Sequence, residues 1–225
     1  MFERNRNVGR LIVTCFLCSF FLIGFNQKVN AQLEDNIMWA TFNFKTKLDE
    51  GTSMSFKPII RYNEDISSYQ NWSIDISLRQ QISKHWSFQF LARTWFLPDQ
   101  KDRQFAWIDI AYKTKFDKLG FSSQIRWHYA LDINGREDPD FMRWMTVLSM
   151  PLFSNFQFQI GIEPWFRPED NFELQRYRVE PAIKYTFNKD MSFMLMYRRE
   201  ESVNIDPYFD INMIVPVFVY NIGAL

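Results

Sequence analysis

Histidine, cysteine, tryptophan and arginine are the side chains in this sequence that offer chemistry. Two histidines occur, His85 and His128, and both cysteines, Cys15 and Cys18, lie near the N-terminus. An imidazole can serve as a general base toward a hydroxyl nucleophile. His128 is the candidate for that role, with Asp132 or Asp75 as an acidic partner, although the sequence assigns no serine to it. His85 is expected in a solvated turn. The second group is Trp39, Trp95, Trp107 and Trp165 together with Arg61, Arg93, Arg143 and Arg178. Indole faces stack on sugars, and guanidinium groups bind anions through charge-assisted hydrogen bonds, so this set suits a sugar or an anionic small molecule. The same bulky rings and charges would equally well fill a narrow lumen. With two histidines and no cysteine beyond residue 18, no metal site is expected, and no glycine-rich phosphate loop or other cofactor motif is present.

These residues sit on segments of period two. In RYRVEPAIKYTFNKDMSFMLMYRRE, residues 176–200, Tyr177, Val179, Pro181, Ile183, Tyr185 and Phe187 share one parity, and Arg178, Glu180, Ala182 and Lys184 share the other. Asn188, Lys189 and Asp190 then supply a tight turn. Such alternation specifies a hairpin with one apolar and one polar face. The unit recurs, predicting strands over 37–48, 52–62, 71–82, 86–96, 104–116, 119–129, 141–150, 156–166, 176–187, 191–200 and 209–222. Each is long enough to cross a bilayer at a tilt. Connections alternate short and long, as in barrels whose strands meander through one membrane.

One parity collects Phe42, Phe44, Phe56, Ile60, Trp72, Ile74, Ile76, Leu78, Phe88, Phe90, Ile108, Ile110, Phe121, Ile125, Phe158, Ile160 and Ile162, and none of these is charged. The other carries Lys45, Lys57, Arg61, Asp75, Arg79, Arg93, Asp109, Lys113, Arg126, Arg143, Glu163, Arg178, Glu180, Lys184 and Arg198. A charge at mid-bilayer on a lipid-facing strand costs on the order of 2–4 kcal/mol, so lipid selects against it. Aromatic residues gather near both strand ends, Tyr62, Trp72, Phe96 and Tyr129 at one and Trp86, Phe116, Phe156 and Phe187 at the other. Such bands are the girdles of membrane interfaces. A soluble barrel or sandwich with its apolar face inward is the competing reading. The expected fold is therefore all-β: an antiparallel up-and-down transmembrane barrel of about ten to twelve strands. Eleven predicted segments conflict with the even count usual in bacterial barrels, which leaves 37–48 as a candidate arm outside the wall.

Arg4, Arg6 and Arg10 precede an apolar run over 11–25, and Ala31 closes a cleavage-like site. This predicts a signal peptide over 1–31 and a barrel domain over 32–225. An aromatic fraction of 18% exceeds what a soluble surface explains, while zero net charge gives no footing for nucleic acid. Trp39, the Asn188–Asp190 turn followed by MSFMLMYRRE, the pair FSSQIRWHY and FMRW, and Glu163 in GIEPWF together resemble a family of small outer-membrane barrels, the domain of unknown function 2490. The resemblance implies a fold and a membrane, and brings no reaction.

Three functions follow as expectations. The first is a porin-like or ligand-binding barrel with an aromatic and Arg-lined extracellular mouth. The second is an outer-membrane enzyme modifying lipid or lipopolysaccharide through His128. The third is a surface barrel whose loops, especially 130–140, bind a partner. All imply outer-membrane lipid and lipopolysaccharide as surroundings, the barrel-assembly machinery during insertion, and no cofactor.

Overall fold

A computed structural model describes residues 34–63, 66–98, 100–131, 139–205 and 208–224. The expected leader over 1–31, the candidate partner Asp132 and most of the 130–140 loop lie outside the described residues. Eleven strands form among them: β1 (Glu34–Lys47), β2 (Thr52–Asn63), β3 (Ser68–Gln81), β4 (Trp86–Phe96), β5 (Arg103–Phe116), β6 (Leu119–Leu131), β7 (Phe141–Phe153), β8 (Phe156–Arg167), β9 (Glu173–Thr186), β10 (Met191–Ser202) and β11 (Asp210–Ala224). Consecutive strands pair antiparallel throughout, and the sheet closes on itself.

Closure resolves the odd count. β1 is a full member of the wall, not an arm beside it, and it pairs with β11 in parallel, Ile37 opposite Met213 and Phe42 opposite Phe218. Geometry demands this, because alternating strands of odd number begin and end in the same direction. The seam also accounts for the apolar character of β11 on both faces. Met213 and Val215 point inward and pack with Ile37 into a buried cluster flanked by Trp39 and Met196.

Side-chain parity follows the register. Phe42, Ile76, Phe90, Ile125, Ile162 and Phe218 point outward and stay exposed, with Ile76 and Ile162 more than half open. Arg61, Asp75, Asp109, Glu163 and Glu200 point inward and are buried. A soluble barrel would reverse this arrangement. Arg199 and Asp210 break the pattern at the long-loop end. They lie on the outward parity and pair with one another at 2.7 Å, while Arg199 also meets Glu201 at 2.8 Å.

The short turns are held by local polar chemistry. Asn188 Oδ1 accepts from the backbone N–H groups of Asp190 and Met191, both at 2.9 Å. Asp49 accepts from Gly51, Thr52 and the Thr52 hydroxyl within 2.7 Å. These bonds hold its carboxyl below the ordinary carboxylate range. Asp117 takes the left-handed conformation, φ 52°, that a two-residue turn between β5 and β6 needs and Asp tolerates. His85 lies in the short turn before β4, partly exposed, with its Nδ1 2.9 Å from the Lys113 carbonyl.

On the outer wall aromatic rings gather at both ends. Trp72 stacks on Phe96 at 4.1 Å near the long loops. Phe153, Phe156, Tyr185 and Phe187 form a chain of contacts below 5 Å near the short turns.

Candidate functional site

Alternation aims every second side chain into the lumen, and strand register decides which of them meet. Asp75 on β3 lies opposite Arg93 on β4 and Lys57 on β2. Its carboxylate accepts from Arg93 at 2.5 and 2.7 Å and from Lys57 at 2.9 Å. Asp109 on β5 faces Arg126 on β6 in the same forked geometry, at 2.6 and 2.7 Å. Glu163 on β8 holds Arg143 at 2.7, 2.8 and 3.1 Å, Arg178 at 3.2 Å and the Trp165 indole N–H at 3.1 Å. Glu200 on β10 accepts from Arg176 at 2.8 Å and from Arg178, and Glu180 accepts from Arg198 at 2.5 Å. Among the described residues, ion pairs thus line the inside of the wall as a belt in three stretches, β2 to β4, β5 to β6 and β7 to β10. Each pair joins adjacent strands, because only neighbours in register bring a short carboxylate within reach of a guanidinium fork.

Aromatic rings lie against the belt. The Arg61 guanidinium sits between Trp39 and Trp95, 4.7 and 4.6 Å from their ring centres. Arg93 and Arg126 flank Trp107 at 4.3 and 4.4 Å, and Arg143, Arg176 and Arg178 surround Trp165 at 3.9 to 4.3 Å. Phe105 touches Trp95 at 5.3 Å and His128 at 4.7 Å, and Phe141 touches Trp165 at 5.4 Å. Arg198 and Arg178 reach back to Trp39 at 5.1 and 6.0 Å, closing the circuit. Trp107 keeps 2% of its surface open and Trp165 5%, so no water-filled channel runs beside them. Side chains fill the lumen at this level, and a small barrel has little room for more.

All eight residues expected at the mouth, Trp39, Trp95, Trp107, Trp165, Arg61, Arg93, Arg143 and Arg178, enter this one layer. Arg61 differs from the others. It is 1% exposed, bonds Asn71 Oδ1 at 2.6 Å and Ser73 Oγ at 3.2 Å, and forms no ion pair among the described residues. Among the described residues its Nε finds no acceptor, nor do the indole N–H groups of its neighbours Trp39 and Trp95 or that of Trp107. The layer is therefore rich in donors. Among the described residues of this belt, eight cations, Lys57, Arg61, Arg93, Arg126, Arg143, Arg176, Arg178 and Arg198, face five carboxylates, Asp75, Asp109, Glu163, Glu180 and Glu200, and Arg103 lies 5.8 Å from the Trp95 ring centre.

His128 lies inside the same layer, 9% exposed, with Trp107 at 5.1 Å and Trp165 at 6.5 Å as further ring neighbours. Neither ring nitrogen has a hydrogen-bond partner among the described residues, so no hydroxyl there stands ready for activation. Among the described residues no group of three histidine, cysteine or carboxylate side chains could hold a metal ion.

Sequence reasoning singled out neither Phe141, Arg176 nor Glu200 as site residues. Phe141 shares parity with Arg143, and Arg176 with Arg178, so alternation placed both inward. What alternation lacks is register, which sets Arg176 beside Glu200.

A family model described as a protein of unknown function, DUF2490, matches residues 36–203. The chain belongs to this family. No curated protein and no solved structure matches it. The DUF2490 match spans β1 to β10, and with them every belt residue named above. β11, which closes the seam, falls beyond it.

Proposed function

We propose that this DUF2490 chain is an outer-membrane barrel that binds an anionic group at its long-loop mouth instead of conducting solutes. Its placement in a membrane is supported by the outward Phe, Ile and Leu side chains, by aromatic bands at both wall ends, and by the alternation of short and long connections. An outer face so apolar has no counterpart on a soluble monomer, whose largest exposed patches cover only a few hundred Å². Lipid and lipopolysaccharide then surround the wall, with the long loops outside.

The observation that carries the binding reading is Arg61. A buried cation without a carboxylate is costly. Here three further N–H donors, on Trp39, Trp95 and Trp107, lie in the same layer without acceptors among the described residues. An anion entering between the half-buried Trp39 and Trp95 would supply the missing charge and acceptors, while the indole faces suit a sugar ring. A sugar acid or an anionic glycolipid headgroup fits both demands. A pore is the weaker reading, because it requires a continuous water path past Trp107 and Trp165.

Titration calorimetry of the refolded barrel with glucuronate and with glucose tests the proposal. Saturable binding of glucuronate, at least about tenfold weaker binding of glucose, and loss of glucuronate binding in Arg61→Gln are expected. Equal affinity for the two sugars, or no binding of either, would overturn it.

A further inference from the structure

Below the closing layer the lumen carries a second set of cations that the mouth site does not use. Lys45 on β1, Arg79 on β3, Lys113 on β5 and Lys184 on β9 all point inward near the short-turn ends of their strands. None forms an ion pair among the described residues. Arg79 bonds the neutral Gln89 at 2.9 Å. Their charges lie within electrostatic reach of one another. The nearest lumen carboxylates, Asp109 and Glu180, are each engaged by an arginine of the belt. Below those two, no lumen-facing position among the described residues is acidic. Asp49, at this end, is occupied by its own turn.

We infer that this short-turn half of the lumen is a binding cup for a small soluble polyanion of the phosphate class. Four like charges drawn from opposite sides of one narrow space repel each other, and a multivalent anion between them relieves every pair at once. Three of the four are lysines. A lysine ammonium is a compact charge with rotatable donors, which suits the tetrahedral oxygens of phosphate without a fixed fork. The filled layer above stops passage toward the long loops, so the anion enters and leaves by the short-turn end. Lipid chains are excluded, because the cations face the inside of the wall.

Calorimetry with inorganic tripolyphosphate on the full barrel, refolded in detergent, tests the inference. Binding is expected to weaken by about tenfold for each charge removed, hence about a hundredfold in the Lys113→Gln/Lys184→Gln variant. Arg61→Gln, which should abolish glucuronate binding at the mouth, is expected to leave tripolyphosphate affinity unchanged, so the two sites fail independently. Should the double variant not fold, as judged by circular dichroism, Lys45→Gln alone gives the same reading with a tenfold effect. Absence of saturable tripolyphosphate binding, or unchanged affinity in the folded variants, would overturn the inference.

Discussion

Glu163→Gln tests the closing layer at its most connected point. The wild-type carboxylate engages Arg143 through three contacts, Arg178 through one and the Trp165 indole through one. Glutamine keeps the shape and one acceptor but removes the charge. Arg178 retains Glu200, whereas Arg143 has no other carboxylate partner among the described residues. The cost is therefore that of one buried cation left uncompensated, about 3–5 kcal/mol when a buried pair loses one member. With a urea slope of about 2 kcal/mol per M, the unfolding midpoint should fall by roughly 2 M. Urea titration of the barrel in lipid vesicles, followed by tryptophan fluorescence, measures this directly. Replacing both partners, as in Arg143→Met/Glu163→Gln, should recover part of the loss, since the stranded charge is gone. A midpoint shift below about 0.5 M in the single variant would mean that water reaches Arg143, and the filled layer would have to be abandoned.

Other outcomes follow from the same geometry. In planar bilayers the wild-type chain should give no conductance steps above leak, and truncating the plug in Trp107→Ala/Trp165→Ala should produce them. Ile76→Arg on the outer wall should destabilise the vesicle-embedded barrel by about 2–4 kcal/mol in urea titrations, while the same change on a water-exposed wall would cost almost nothing. Asp49 should titrate below a free aspartate in pH-resolved NMR of the barrel. Its depressed folded value means that its contribution is complete above the unfolded pKa of about 3.9 and is lost as pH falls through the folded one. Asp49→Asn should flatten that part of the stability profile.

Parity alone made most of the wall legible. Tyr177, Val179 and Ile183 against Arg178, Glu180 and Lys184 specify both the strand and its two faces, and the turn at Asn188 fixes where it reverses. The same alternation put Trp39, Trp95, Trp107 and Trp165 inside and near one end. Pairing was not legible. Nothing local to Glu163 says that Arg143, twenty residues away, will lie beside it, because register across a hairpin depends on where each turn begins. The seam was hidden for a related reason. A parallel contact between first and last strands leaves no turn, and its signature is only the two-sided apolar run around Val215 and Val217.

The seam explains the shape of the site as well. An ion-pair belt needs acids and arginines on neighbouring strands, and β9 and β10 supply them through Arg176, Arg178, Glu200 and Arg198. β11 offers Met213, Val215 and Val217 to the lumen, and none of these side chains can join an ion pair. The belt has no member on β11 among the described residues, and Trp39 packs there against the Ile37–Met213 cluster. Arg61 lies 4.7 Å from the centre of that ring and has no carboxylate partner among the described residues. The uncompensated cation thus stands one strand from an apolar parallel seam that supplies Arg61 with no acid among the described residues. Introducing an acid there, as in Val215→Glu, should pair with the excess positive charge and weaken glucuronate binding without opening the lumen. If glucuronate affinity stays unchanged in a folded Val215→Glu barrel, the link between the seam and the mouth site is wrong.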